Sequence, residues 1–494
     1  MYNISTSISG RNPKWRSRPP DGWPVMVWFH SGDFNTGTPA IWDASVFVAK
    51  QKVLVVTVAY RLNILGFFTT TDSESAGNFG LLDQVAALDW IKQNIELFDG
   101  AATSVTIFGH SAGAISVGLH MMSPLSRGKF HRAIAMSGDA INSVRMPHDE
   151  MSVVDEVAET FGCYRKTSDL MECLRNVQVE TLVQASSFIE TWGPIVDADT
   201  SNATDGPFLP RHPRDIGSDE LWAVPLVAGY TGNEQALAYI ELIGSENADG
   251  RLTPNQFEAM VRDDTVAAVV APSDNSSCEL KPDLVAEGVL FFYRPHPPSR
   301  DQKILRDRYL DLQTEKNYAA GLTQLAAKVA SHPSKVQSFV YRFDYRARTP
   351  QVTRDVPEWA GVPHMFELPF VWGLPYSTGT PAIQWNQADK KMSDSVMAMM
   401  AQFARSGSPS LGAVVKWEPY TERQPNLLII DRNIEMSNEV AIDHKALAFW
   451  NEYYPVLLDA AINNCCNVTS AAISLHGRFP KMAAALALTR FILR

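Results

Sequence analysis

The chain has 494 residues, of which 45% are hydrophobic and 20% charged, a composition that suits a globular protein with a large buried core. Its formal net charge of −11 argues against nucleic acid as a partner, because nucleic-acid-binding proteins present basic patches. The sequence contains no apolar run long enough to span a bilayer.

Short apolar segments alternate with helical patterns over the first 140 residues. Residues 24–29 and 53–60 are bounded by turn residues and predict two buried strands. A helix is predicted to run to about Asn94, and residues 105–109 and 132–138 predict two further strands. This alternation indicates an α/β protein with a largely parallel central sheet that helices cover on both faces.

The third of these strands ends abruptly in Gly109-His-Ser111-Ala-Gly113, and a helical pattern follows through Met122. Strand, G-x-S-x-G turn and helix together are typical of a nucleophile elbow, and this context argues against a chance match in a loop. Side chains at Gly109 and Gly113 would collide with the neighbouring strand and helix. Ser111 would then lie above the sheet edge at a helix N-terminus, which favours developing negative charge.

Two later residues complete the order Ser…Glu…His. Glu234 closely follows a predicted strand at 224–230, although a solvated loop carboxylate is the alternative interpretation. His364 lies about twenty residues beyond a predicted strand at 339–343. The chain has 11 histidines, most of which are expected to be structural or surface groups, and its place in this order singles out His364.

Several ordered segments resemble the type-B carboxylesterase/cholinesterase family of α/β-hydrolases. They include residues 77–84 (GNFGLLDQ), 104–113 (SVTIFGHSAG), 136–138 (MSG) and the His-x-x-Glu-Leu segment at His364. The resemblance ends near residues 449–450 and so covers almost the whole chain. It implies an α/β-hydrolase fold. Family members usually begin earlier, with a signal peptide and opening strands, so residue 1 is predicted to be an internal start.

The resemblance also implies acyl transfer on a small-molecule ester. Ser111 would attack the ester carbonyl, His364 would take its proton, and Glu234 would orient the imidazole and stabilise its cationic form. Water would then hydrolyse the acyl-enzyme with His364 again as the base. No metal or organic cofactor is expected, because no metal-ligand cluster with convincing spacing is found in the sequence.

The oxyanion hole departs from the family pattern. His30-Ser31-Gly32-Asp33-Phe34 stands where the family has a His-Gly-Gly-Gly-Phe-like segment, which makes the N–H groups of Gly32, Asp33 and Ala112 the implied donors. A carboxylate about 4 Å from the forming oxyanion would repel it by roughly 4 kcal/mol at an effective dielectric near 20. This repulsion would slow the reaction up to about a thousandfold unless Asp33 is protonated or turned away.

Two functions follow from this departure. The leading prediction is a serine carboxylester hydrolase that is slow on ordinary esters. The alternative is a catalytically impaired cholinesterase-like binding or adhesion protein. Proteins of the second kind usually lack a triad residue, whereas Ser111, Glu234 and His364 are all present, so the sequence favours the enzyme.

Cysteines and sequons indicate the secretory pathway. Cys163 and Cys173 match a disulfide of the family, with two unpaired buried thiols as the alternative. The protein is therefore predicted to be secreted or extracellular, its signal peptide being absent from this chain. The N-x-[ST] sites that predict glycosylation are Asn3, Asn202, Asn275 and Asn467.

Residues 1–460 are predicted to form one domain and residues 461–494 a C-terminal tail. Small residues at 470–472, a polar spacer and an apolar run at 482–488 resemble a glycolipid-anchor signal, although a frayed terminal helix is the simpler interpretation. Cys465 or Cys466 would offer a dimer an intersubunit disulfide.

Overall fold

The computed structural model describes residues 19–189, 192–244, 247–266, 281–377, 383–438 and 441–462. Within these ranges, eight strands form one sheet. The strands are β1 (Trp23–Phe29), β2 (Leu54–Val58), β3 (Gly100–His110), β4 (Arg132–Met136), β5 (Leu226–Thr231), β6 (Ser338–Phe343), β7 (Leu428–Ile430) and β8 (Ile434–Met436).

The strand order is β2-β1-β3-β4-β5-β6-β7-β8, and every neighbouring pair is parallel except the antiparallel pair β7 and β8. This arrangement confirms the predicted, mostly parallel sheet. Phe29 pairs with Gly109, and His110 pairs with Met136, so β1, β3 and β4 end at one level. Parallel strands bring their carboxyl ends to one edge of the sheet, which is where such folds place their active sites.

Helices connect the strands and cover the sheet. They are α1 (Ser45–Gln51), α2 (Asn63–Phe67), α3 (Phe79–Asn94), α4 (Ala112–Met122), α5 (Met151–Phe161), α6 (Thr167–Arg175), α7 (Val179–Ser186), α8 (Ala236–Ile243), α9 (Pro254–Val266), α10 (Pro282–Tyr293), α11 (Gln302–Thr314), α12 (Ala320–Ala330), α13 (Pro350–Thr353), α14 (Leu368–Val371), α15 (Gln387–Ser406), α16 (His444–Ala448) and α17 (Tyr454–Ile462). None of the helices in the described ranges is long and apolar enough to cross a membrane.

The sheet separates two hydrophobic cores. In β1, the side chains of Val25, Val27 and Phe29 belong to one core, while those of Met26 and Trp28 belong to the other. This alternation follows from the period of two residues in an extended strand. All five side chains are fully buried. Burial on both faces explains why β1 is a continuous apolar run rather than an alternation of apolar and polar residues.

A disulfide joins Cys163, just after α5, to Cys173 in α6, as the sequence predicted. Asn202 lies in the described part of the chain, and its side chain is exposed. The other predicted glycosylation sites (Asn3, Asn275 and Asn467), both tail cysteines (Cys465 and Cys466) and the anchor-like segment lie outside the described residues. Helix α17 continues to Ile462, two residues into the predicted tail.

Candidate active site

Ser111 occupies the turn between β3 and α4. Its backbone has φ 55° and ψ −123°, which is strained for a residue with a side chain. A Cβ atom added at Gly109 would overlap the Gly113 carbonyl, and one added at Gly113 would overlap the Phe29 carbonyl. Ala112 is buried and begins α4 directly after the serine. Both glycines therefore occupy positions where only a hydrogen atom fits, and this close packing fixes the sharp turn.

Glu234 and His364 are in contact although 130 residues separate them. Glu234 lies shortly after β5, and its Oε2 is 2.6 Å from His364 Nδ1. The backbone N–H of His364 also donates to the Glu234 carbonyl oxygen at 3.1 Å. Both side chains are at most 2% exposed. Nδ1 is therefore committed to Glu234, while the buried Nε2 has no hydrogen-bond partner among the described residues.

The Glu234 carboxylate is held by further donors. Its Oε1 accepts hydrogen bonds from the Ser137 hydroxyl at 2.6 Å and from the Thr231 backbone N–H at 2.7 Å. Its own backbone N–H donates to the Thr314 hydroxyl at 3.1 Å. A carboxylate fixed in this way presents its other oxygen to His364 in a single orientation.

Burial and the neighbouring carboxylates act in opposite directions on the ionisation of His364. Burial lowers the pKa of His364, but the charge and the hydrogen bond of Glu234 raise it, with smaller contributions from Glu367 and Asp33. The net result is a pKa above the ordinary value of 6.5. His364 is therefore a stronger base than a free imidazole, and it becomes protonated as the pH falls through this raised pKa.

The aromatic ring of Tyr318 lies beside the imidazole of His364. The two ring centroids are 5.3 Å apart, and the Tyr318 hydroxyl accepts a hydrogen bond from Gln235 Nε2 at 2.7 Å. Tyr318 and Gln235 are both buried. Gln235 thus holds an aromatic side chain against the histidine.

Asp33 points into the same region. Its side chain is open to solvent, yet burial raises its pKa from 3.8 to about 6, while the charge of His364 lowers it. The negative charge of Asp33 also raises the pKa values of Tyr60 and Tyr318. Asp33 therefore lies close enough to His364 for the two charges to interact, and the protein around its carboxyl group disfavours the ionised form.

The backbone around Asp33 is strained. Gly32, Asp33 and Phe34 have φ values of 119°, 52° and 58°. For Asp33 and Phe34 this left-handed conformation costs of order 1–3 kcal/mol each, and it persists only where the surrounding structure fixes it. Gly32 itself admits no side chain, because a Cβ atom would overlap the Thr36 carbonyl.

A second group of buried or half-buried polar side chains adjoins the first. His110 Nδ1 is 3.1 Å from the Ser31 hydroxyl, and His110 Nε2 is 3.2 Å from Glu367 Oε1. The rings of His110 and His364 are 4.4 Å apart between centroids. The Ser137 hydroxyl, which donates to Glu234, is also 3.4 Å from Glu367 Oε1. One polar network therefore extends from the Asp33 loop to the Glu234 carboxylate.

No role was predicted from the sequence for Ser31, His110, Ser137 or Glu367. Three of them share a recognisable position, since His110 ends β3, and Ser137 and Ser31 lie one and two residues beyond β4 and β1. Polar residues at the carboxyl ends of neighbouring parallel strands meet at one edge of the sheet. Their position at the ends of strands could therefore have identified these three as site residues. Glu367 instead lies in the loop before α14, where no strand end indicates it.

A comparison with protein families matches residues 2–450 to the carboxylesterase family. The chain belongs to the carboxylesterase family. Its eight-stranded sheet is accordingly the central sheet of an α/β-hydrolase fold, as predicted.

Similar proteins include several members of this family. Carboxylesterase 5A of Canis lupus familiaris is 30% identical over 88% of this chain and 71% of its own length. Pyrethroid hydrolase Ces2e of Rattus norvegicus is 31% identical over 87% of this chain and 71% of its own length. Acetylcholinesterase of Bungarus fasciatus is 30% identical over 90% of this chain and 72% of its own length. Family and relatives identify the chain as a carboxylic ester hydrolase that acts on small-molecule esters.

Proposed function

We propose that this carboxylesterase hydrolyses its esters through Ser111, His364 and Glu234, with an acyl-enzyme intermediate. The contact of 2.6 Å between Glu234 and His364 carries the proposal, because it leaves Nε2 as the basic atom of a buried imidazole. The strained turn at Ser111 supports it, since such strain is characteristic of functional sites.

In the proposed reaction, the Ser111 hydroxyl attacks the ester carbonyl carbon while its proton passes to His364 Nε2. The tetrahedral intermediate collapses, and the same proton goes to the departing alcohol. Water then attacks the acyl-enzyme and gives a proton to His364 Nε2. The second tetrahedral intermediate collapses as that proton passes to the Ser111 oxygen, which releases the carboxylic acid and restores Ser111. In each half-reaction Glu234 stabilises the transient imidazolium. The raised pKa of His364 reflects the same stabilisation of the protonated ring.

The proposed oxyanion hole consists of the backbone N–H groups of Gly32, Asp33 and Ala112. Within the described ranges, none of these groups donates a hydrogen bond to another protein atom. Ala112 is the first residue of α4, where the helix dipole also favours negative charge. Three donors that need no rearrangement would stabilise the charge that develops on the carbonyl oxygen.

The presence of Asp33 in the proposed oxyanion loop favours a second candidate function, that of a catalytically impaired binding or adhesion protein. Its ionised carboxyl group would oppose the charge of the oxyanion. Its raised pKa of about 6 weakens this objection, because a fraction of molecules carries a neutral Asp33 near pH 7. We therefore favour an active but slow esterase.

We further propose that the protein is secreted and glycosylated. The disulfide between Cys163 and Cys173 and the exposed sequon at Asn202 support this location, since disulfides persist in oxidising compartments.

A fluorophosphonate probe, which modifies activated serines, tests the proposed mechanism. Wild type should become labelled and hydrolyse a short activated ester, whereas Ser111→Ala should do neither. Ser187→Ala, which removes an exposed hydroxyl, is the matched control and should behave as wild type. Folded wild type that neither reacts with the probe nor turns over ester would instead indicate the binding protein. Unchanged turnover in Ser111→Ala would exclude this serine as the nucleophile.

A further inference from the structure

We infer that Ser31, His110 and Glu367 form a second Ser-His-Glu arrangement that positions the proposed oxyanion loop, residues 30–37, against the nucleophile elbow. This inference rests on the proposed function, because it concerns the donors of that oxyanion hole. Ser31 and His110 act in it as positioning residues, and Ser111 remains the nucleophile.

The hydrogen bond between Ser31 and His110 connects the two halves of the proposed hole. Ser31 is next to Gly32 in the loop, and His110 is next to Ser111 in the elbow, so their contact of 3.1 Å links residues that are 79 positions apart. The loop contributes the N–H groups of Gly32 and Asp33, and the elbow contributes that of Ala112. A bond between the two segments therefore sets the distance between the donors and the serine they serve.

The loop needs such support because it is strained. Its three consecutive positive φ values, at Gly32, Asp33 and Phe34, describe a conformation that relaxes if nothing holds it. Three bonds fix it from outside the elbow: Tyr60 donates to the His30 carbonyl at 2.8 Å, Asn63 N–H donates to the Phe34 carbonyl at 2.7 Å, and Asn63 Nδ2 donates to Asn35 Oδ1 at 2.6 Å. All three attach the loop to the segment after β2, and Ser31 adds the attachment to β3.

His110 is itself fixed by Glu367. Ser137 has a single hydroxyl hydrogen and, at 2.6 Å, gives it to Glu234, so the oxygen of Glu367 at 3.4 Å receives none from it. Glu367 depends on His110 instead. Burial raises the pKa of Glu367, but the charge of His110 and then its polar contact with the carboxylate lower it, and the net pKa is below the ordinary value. When His110 is neutral, only the contact part of its effect remains. A neutral His110 with its hydrogen on Nε2, facing Glu367, leaves Nδ1 to accept a hydrogen bond from the Ser31 hydroxyl.

The two histidines therefore differ in role. His110 Nδ1 is within hydrogen-bond distance of Ser31, and its Nε2 is 3.2 Å from Glu367 Oε1, an ion-pair distance without the geometry of a hydrogen bond. His364 Nε2 has neither kind of contact among the described residues. Burial lowers the pKa of His110, and Glu234 raises that of His364. His110 thus suits a neutral structural link, and His364 suits a base.

The test compares wild type with Ser31→Ala and His110→Gln, using kcat, KM, thermal stability and the affinity for a trifluoromethyl ketone. This ketone forms a tetrahedral adduct with the nucleophilic serine and places an oxyanion in the hole. We expect Ser31→Ala to lower kcat and ketone affinity by the same factor, about 10- to 100-fold, with KM unchanged, because small displacements of oxyanion donors have effects of this size. The double variant should lose no more than the larger single loss.

Two further variants complete the design. Ser31→Thr keeps the hydroxyl and should restore most of kcat, whereas Ser187→Ala should leave every parameter unchanged. Equal kcat and ketone affinity in wild type and Ser31→Ala would overturn the inference while leaving the proposed function intact. A lower thermal stability together with a higher KM in Ser31→Ala would also overturn it, because these changes would show that Ser31 has a general structural role. Fluorophosphonate attached to Ser31 in the Ser111→Ala variant would overturn it in favour of a second nucleophile. Wild type that does not bind the ketone at all would refute both proposals.

Discussion

Removing the charge of Asp33 should accelerate ester hydrolysis by an amount that depends strongly on pH. Asp33→Asn is the most informative change, because asparagine keeps the shape of the side chain and tolerates the observed φ of 52°. Its effect therefore isolates the carboxylate. Asp33→Gly removes the same charge together with the backbone strain.

The structure limits the size of the effect. A fixed carboxylate about 4 Å from the oxyanion would cost roughly 4 kcal/mol, or about a thousandfold in rate. However, with a pKa of about 6, Asp33 is neutral in about a tenth of molecules at pH 7, and these can react without the penalty. Asp33→Asn should thus gain at most about tenfold at pH 7 and about a hundredfold at pH 8. Below pH 6 the gain should disappear.

The protonation state of His364 makes the tenfold gain at pH 7 an upper limit. Catalysis starts from a neutral His364, whereas a charged His364 lowers the pKa of Asp33. In the reactive state the pKa of Asp33 is therefore higher and more molecules are neutral, which makes tenfold an upper limit at pH 7. On the acidic limb Asp33 is itself protonated, so Asp33→Asn should leave the rate there close to that of wild type.

The assay is kcat/KM for a short activated ester from pH 5 to pH 9. Wild type should give a bell-shaped profile, limited by His364 at low pH and by Asp33 at high pH, while Asp33→Asn should give a plateau. Asp205→Asn, an exposed carboxylate with the same change in net charge, is the control and should follow wild type. A rate ratio of Asp33→Asn to wild type that does not vary with pH would refute the electrostatic reasoning.

Three other predictions concern the triad, the disulfide and glycosylation. Glu234→Gln should lower the pKa of His364, seen as a shift of the acidic limb of kcat/KM to lower pH, and a fixed limb would show that another group controls it. Replacing Cys163 and Cys173 by serine should lower the free energy of unfolding by about 2–3 kcal/mol in urea titrations, and a difference that persists after wild type is reduced would contradict the disulfide as its cause. Expressed behind a signal peptide, the protein should carry a glycan whose mass disappears in Asn202→Gln, and an unchanged mass would show that this sequon is unused.

The sequence predicted the fold and Ser111 of the proposed triad because both rest on local patterns. Strands buried on both faces are continuous apolar runs, and the G-x-S-x-G turn leaves its glycines visible around Ser111. Strands β7 and β8 were not predicted, because each has only three residues and is defined by its pairing with the other. Glu234 and His364 were identified through the resemblance, since the sequence alone left both open.

The environment of Asp33 and the contact between Ser31 and His110 could not be predicted in the same way. Both depend on distances between segments that are far apart in the sequence, such as the 79 residues between Ser31 and His110. The ionisation of Asp33 depends on how completely the surrounding residues exclude water from its carboxyl group, and these residues come together only in the folded chain.

Two departures from the family's His-Gly-Gly-Gly-Phe-like segment lie in one loop and act in opposite directions. Asp33 adds a charge and a strained backbone to the oxyanion loop, whereas Ser31 adds a hydrogen bond that fixes this loop to β3. A hydrogen bond in a buried site contributes about 0.5–1.5 kcal/mol, which is comparable to the strain of one residue with positive φ. Ser31 can therefore offset the backbone strain of Asp33 but not the effect of its charge. The fraction of molecules in which Asp33 is protonated then limits the rate at high pH.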